Sequence, residues 1–139
     1  MSSFKFVTPG VFHAAISKAR RGMGWRKQAC LTQYSPSAYA EMRTFLSVGG
    51  KSGFAIKPDG ELVSVFSALR GQGRALLSEA VAQGARKLDC YDGVLVAVYT
   101  TAGFVEVRRE PWEGFDLLCM GRPDVVYMEV AAEAAGPIQ

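Results

Sequence analysis

One stretch, Leu62 to Leu77 (LVSVFSALRGQGRALL), constrains the fold of this chain more than any other. It reads as a short apolar strand, a turn through Arg70-Gly71-Gln72-Gly73-Arg74-Ala75 and an amphipathic helix. Two glycines at the start of a helix let backbone N–H groups crowd around an anion, and the helix dipole adds to the attraction. A lone G-x-G is weak evidence for such a site, so its surroundings decide how it is read.

Those surroundings alternate helices and strands. Phe4–Val7 reads as a first strand, and Thr8-Pro9 as an N-cap with proline at the first helical position. Val11, Phe12, Ala15, Ile16 and Ala19 recur at helical spacing, which predicts a helix over 9–21 ended by Gly22 and Gly24. Ser35-Pro36 repeats the start signal. Tyr39, Met42, Phe45 and Leu46 then form the apolar face of an expected second helix, stopped by Gly49-Gly50.

Lys57-Pro58-Asp59-Gly60 is a turn that joins Gly53–Ile56 to Glu61–Phe66 as an antiparallel hairpin. A helix from about Arg74 to Gln83, capped by Gly84, follows the glycine turn. Next come a strand at Arg86–Cys90, a helix at Val94–Thr101, a strand at Phe104–Arg108, a loop at Pro111–Gly114 and a last strand at Val125–Val130. Residues 131–139 are expected to fray. This order argues for one α/β or α+β domain without an internal repeat.

Composition bounds the rest. The 139 residues suffice for one core, and 49% apolar with 21% charged residues is usual for a globular protein. No apolar run approaches the ~20 residues of a membrane span, and MSSFKFVTPG has no signal-like segment. Cys30, Cys90, Cys119 and the single His13 have neither zinc spacing nor a disulfide framework, so thiols in a reducing cytoplasm are expected.

Net charge is +3 but unevenly spread: residues 1–57 hold nine Lys or Arg against Glu41 alone, and residues 58–139 hold seven against twelve acids. The densest basic cluster is Lys18, Arg20, Arg21, Arg26 and Lys27. It reads as a solvated helix end or as an attractor for an anionic partner. Only Trp25 interleaves it and no recognised motif accompanies it, so nucleic-acid binding ranks last.

The glycine turn has company. About 25 residues after it stands Tyr99-Thr100-Thr101-Ala102-Gly103-Phe104, a helix end leading into a strand. Together the two segments resemble the signature of the GNAT superfamily of N-acetyltransferases. Arg70, Gly73 and Ala75 match the positions that hold the pyrophosphate of acetyl-CoA in that family, and Val65 precedes Arg70 at the spacing usual for its fourth strand. Asp92 stands in place of a frequent asparagine. The resemblance is clearest over residues 61–109. It departs upstream, where only Phe4–Val7 and Gly53–Ile56 read as strands although three are usual. The chain looks like a small or trimmed member.

The resemblance implies a mixed, mostly antiparallel sheet flanked by helices in a single domain. Residues 1–60 would form the acceptor side and 61–109 the acetyl-CoA-binding core. Acetyl-CoA would be held by Val65, Phe66, Ala68, Arg70, Gly71, Gln72, Gly73, Arg74 and Ala75, with no metal, and its acetyl group would pass to an amine of a small molecule or protein. Backbone N–H groups at the end of the strand would stabilise the thioester oxygen, where negative charge develops. Tyr99 would protonate the departing thiolate. A tyrosine on a helix facing a sheet is otherwise a half-buried aromatic, and that reading stands beside the catalytic one. No general base is evident; Glu61, Asp89 and Asp92 are candidates that also read as turn or surface carboxylates. Cys90 would lie near the pantetheine channel.

The alternative is a binding module of the same fold that modulates a partner protein, with or without CoA. Such proteins also occur in phages and mobile elements, as monomers or homodimers.

Overall fold

The first helix forms where the capping residues place it. A computed structural model describes residues 4–24, 31–67, 73–91, 94–111 and 124–131. Strand β1 (Phe4–Phe6) leads into helix α1 (Pro9–Arg21), whose Thr8 side chain accepts from the Val11 N–H and whose Gly22 N–H bonds back to Ala19 and Arg20. Phe12 and Ile16 are fully buried, but Val11 is 53% exposed and does not join the apolar face expected for it. Emptying the Phe12 site with alanine would cost about 3–5 kcal/mol.

The expected second helix is mostly a strand. Helix α2 covers only Pro36–Tyr39, capped by the Ser35 hydroxyl, and Arg43–Ser47 forms strand β2. Thr44, Phe45 and Leu46 are all buried. Phe45 belongs to one side of the sheet and Leu46 to the other, which only the period of a strand allows. Pairing on both edges, with β1 and with strand β3 (Ser52–Ile56), supplies ladder hydrogen bonds that a helix would have kept internal. The Thr44 hydroxyl adds a bond to the Val7 carbonyl at 2.9 Å.

The hairpin from β3 to strand β4 (Leu62–Ser67) turns where the sequence places it. The Gly60 N–H bonds to the Lys57 carbonyl at 2.9 Å, and Gly60 takes a φ of +91° that a side chain would disfavour. Then follow helix α3 (Gly73–Ala82), strand β5 (Lys87–Tyr91), helix α4 (Val94–Thr101), strand β6 (Phe104–Glu110) and strand β7 (Val125–Val130). These bounds lie within two residues of those read from the sequence. The frayed tail expected over 131–139 falls almost wholly outside the described residues.

Two antiparallel sheets result, in the orders β1-β2-β3-β4 and β5-β7-β6. They meet at one parallel bridge, Glu61 to Lys87, where the Gly60 carbonyl accepts from Arg86 and Lys87. Helices α3 and α4 cover one face through a core that includes Phe54, Ile56, Leu76, Leu77 and Phe104. Helix α1 covers the opposite face of the first sheet, over Tyr39, Ala55, Val63 and Phe66. The strand missing from the sequence reading is therefore β2, and three antiparallel strands precede β4.

Candidate functional site

Strands β4 and β5 run parallel from their shared bridge, but no further pairing joins them among the described residues. The edge of β4 that faces away from β3 thus has backbone groups without a strand partner beyond Glu61. Such groups require water or a ligand as partner, because an unsatisfied buried N–H or C=O is costly.

A bulge shapes this wall. Between the pairs Gly53–Phe66 and Ala55–Val63, one residue of β3 faces two residues of β4, Ser64 and Val65. Ser64 has a φ of +55°, in the left-handed region that non-glycine residues seldom occupy. The extra residue resets the alternation of side chains. Val63 and Phe66 pack on the α1 side, while Val65 is half-buried on the side of α3 and α4. Of the residues expected to hold a cofactor, Val65 and Phe66 therefore lie in or next to the bulge.

Ser64 is 5% exposed and its hydroxyl is fully used. It donates to the Thr32 carbonyl at 2.7 Å and lies 2.8 Å from the Tyr39 hydroxyl, which accepts from the Tyr34 N–H at 3.1 Å. Burial raises the pKa of the Tyr39 hydroxyl, against the opposing effect of its hydrogen bonds with Ser64 and the Tyr34 N–H. Sequence reasoning misses Ser64 and Thr32, and reads Tyr39 only as part of a helix face. The signal was there in Ser64, a lone polar residue inside the apolar run LVSVFS, since a buried hydroxyl must find partners.

Helix α3 opens with Gly73, and a Cβ built there would meet no atom within 4 Å. Gly73 does not have a positive φ, so its value lies in open approach rather than in backbone freedom. Arg74 and Ala75 are exposed beside it. Ala68, Arg70, Gly71 and Gln72 lie outside the described residues, as do Asp92, Arg26 and Lys27. A groove of about 660 Å³ runs between α3 and the end of α4, lined in part by Arg74, Ser78, Arg86 and Thr101.

Tyr99 of α4 is 9% exposed and packs edge-on against Phe104 with centroids 6.0 Å apart. No hydrogen bond joins its hydroxyl to a described residue. Burial, and then the nearby Cys90 and Asp89, push its pKa well up, which makes it a weaker acid than a free phenol. Cys90 is half-buried against the same core. Glu61 is engaged at the hairpin, 3.8 Å from the Lys57 ammonium, and Asp89 is an exposed strand residue. The ring of His13 stacks edge-on toward Tyr39, with centroids 6.5 Å apart. No cluster of three or more His, Cys, Asp or Glu suited to a metal occurs among the described residues, and no described helix is long and apolar enough to cross a membrane.

No family model and no curated protein matches the sequence. Solved structures do match. Spermidine N-acetyltransferase from Vibrio cholerae, in complex with CoA and spermine, superposes with a TM-score of 0.67 at 15% identity, over 95% of this chain and 96% of that one. A putative acetyltransferase from Salmonella typhimurium with its cofactor acetyl-CoA gives 0.62 at 12% identity, over 91% of each chain. A GNAT-family acetyltransferase from Streptococcus pneumoniae gives 0.60 at 17% identity, over 92% of this chain and 98% of that one. At these identities the likeness is one of fold, and the chain has the GNAT acetyltransferase fold.

Proposed function

We propose that this protein transfers the acetyl group of acetyl-CoA to an amine. The observation that carries this reading is the parting of β4 and β5, with a bulged, unpaired strand edge on one wall. An extended ligand bearing amide groups, such as pantetheine, satisfies that edge as an added strand would. The start of α3 fits the pyrophosphate, with open space at Gly73, the N–H groups that a first helical turn leaves without helical partners, and Arg74 alongside. Ala68, Arg70, Gly71 and Gln72 complete that site in this reading. Residues 61–109 form the acetyl-CoA core and residues 1–60 the acceptor side.

The chemistry follows from those positions. The acceptor nitrogen, neutral and with its lone pair free, forms the new N–C bond as the C–S bond breaks. Backbone N–H groups of the β4 bulge hydrogen-bond the thioester oxygen, where negative charge develops. The Tyr99 hydroxyl, protonated at neutral pH as any phenol is, gives its proton to the departing thiolate. The proton lost from the acceptor nitrogen returns through solvent. Location in the cytoplasm accords with three cysteines that form no even framework.

Charge narrows the acceptor. Residues 1–57 carry a net +8, nine basic residues against Glu41, and Lys18, Arg20 and Arg21 crowd the end of α1. A polyamine would be repelled there, whereas an amine that also bears a carboxylate or phosphate would be drawn in. Two features favour the binding-module reading, a missing upstream strand and the absence of an evident base; β2 supplies the strand, and the second ground stands. Calorimetry with acetyl-CoA, followed by thiol-release assays with glutamate, phosphoethanolamine and spermidine, tests the proposal. Binding and faster transfer to the two anionic amines are expected. No binding and no transfer at millimolar acetyl-CoA would refute the enzyme reading, and preference for spermidine would refute the charge argument.

A further inference from the structure

Four groups beside the bulge form one directed chain. The Tyr34 N–H can only donate and the Thr32 carbonyl can only accept, so the protons between them have a single order. The Tyr34 N–H donates to the Tyr39 hydroxyl, which donates to Ser64 Oγ, which donates to the Thr32 carbonyl. Tyr39 is fully buried and Ser64 nearly so. No buried side-chain N or O atom of a described residue lacks a hydrogen-bond partner, so this polar cluster is complete.

The segment at the far end of the chain is anchored separately. Arg20 donates to the Leu31 carbonyl, and the Gln33 amide donates to Ser17 Oγ at 2.7 Å. Leu31–Tyr34 is thereby fixed to α1 and, through Ser64, to the left-handed residue of β4. A serine in that backbone region is strained and persists only where its surroundings hold it. Here the surroundings are the flanking β3 pairs and a hydroxyl bonded on both sides.

We infer that Tyr39 and Ser64 are positioning residues that fix the β4 bulge through this hydrogen-bond chain and couple its shape to the segment Leu31–Tyr34. The inference rests on the transfer reading for its kinetic consequence but not for its structural one. Neither side chain lies at the start of α3, so the proposed pyrophosphate contacts stay intact while the β4 wall moves.

The test uses Tyr39→Phe, Ser64→Gly and the double variant of the full chain. Glycine keeps the left-handed φ accessible while it removes the side chain and its hydroxyl. Each single variant is expected to lose roughly 10- to 100-fold in kcat, because small misplacements of a donor are costly, with a smaller loss of acetyl-CoA affinity because the start of α3 is untouched. The double variant should lose little more than either single one, as members of one chain do not act independently. Amide NMR shifts and faster hydrogen exchange should be confined to Ser64–Phe66 and Leu31–Tyr34. Wild-type turnover with unmoved amides at Ser64–Phe66 would overturn the inference, as would failure of both single variants to fold. Should the wild-type protein transfer no acetyl group, the functional reading fails while the amide shifts still decide whether the chain holds the bulge.

Discussion

Replacing Tyr99 with phenylalanine separates the two roles open to that residue. The ring is buried against Phe104 and phenylalanine keeps it, so the packing survives. The hydroxyl makes no hydrogen bond to a described residue, so the usual loss of about 1 kcal/mol for a broken bond does not arise. The expected change in stability is within about 0.5 kcal/mol, a melting shift of no more than about 3 °C for a domain of this size. Catalysis should respond quite differently. Loss of a general acid costs roughly 10²–10⁴ in rate, and the lower end applies because a thiol of pKa about 8.5 is already a fair leaving group. A hundredfold loss corresponds to about 2.7 kcal/mol of transition-state stabilisation. The assay is thiol release at saturating acetyl-CoA, with calorimetry for affinity and a thermal melt for stability. Tyr99→Ala, which empties the ring's site at about 3–5 kcal/mol, shows what a packing defect looks like in the same melt. Wild-type turnover in Tyr99→Phe would refute the acid role. A melting temperature lowered by 6 °C or more would show that the hydroxyl holds the helix.

Other outcomes follow from the same geometry. Gly73→Val should fold, since open space surrounds its Cβ position and its φ is not positive, yet lose acetyl-CoA affinity at least tenfold by calorimetry; retained affinity would mean the turn only caps a helix. Reversing Lys18 and Arg21 together should leave the melting temperature nearly unchanged and slow transfer to anionic acceptors, because both are exposed and pair with no described residue. Arg20→Ala should be worse tolerated, by about 1–2 kcal/mol in a denaturant titration, because Arg20 is half-buried and holds the Leu31 carbonyl; an unchanged midpoint would dismiss that bond. Burial raises the hydroxyl pKa of Tyr39 and Tyr99 above the unfolded value near 10, so the folded state keeps protons that the unfolded state releases. Their stabilisation is complete below pH 10 and is lost as pH rises toward the folded values. The melting temperature should fall above pH 10, less steeply in Tyr99→Phe, and equal slopes would contradict the assignment.

Local chemistry made much of the chain legible. Thr8-Pro9 and Gly22 set the ends of α1, Pro58-Asp59-Gly60 set the hairpin, and the runs Val94–Thr101 and Val125–Val130 became α4 and β7 with those bounds. The glycine turn and Tyr99 pointed to the fold because their spacing is a property of the sequence alone. The second helix misled because Tyr39, Met42, Phe45 and Leu46 fall at helical spacing after a sound N-cap. Pairing with β1 and β3 and burial on both faces override that pattern, and neither is visible to a local window. The bulge at Ser64–Val65 is equally a product of tertiary pairing, since LVSVFS reads as an unbroken strand. What the sequence determined was the order of elements apart from β2, and the motif at the start of α3. What only the tertiary structure decided was the strained backbone of Ser64 and its hydrogen-bond chain, because partners 25 and 32 residues away, Tyr39 and Thr32, must be in place to hold it.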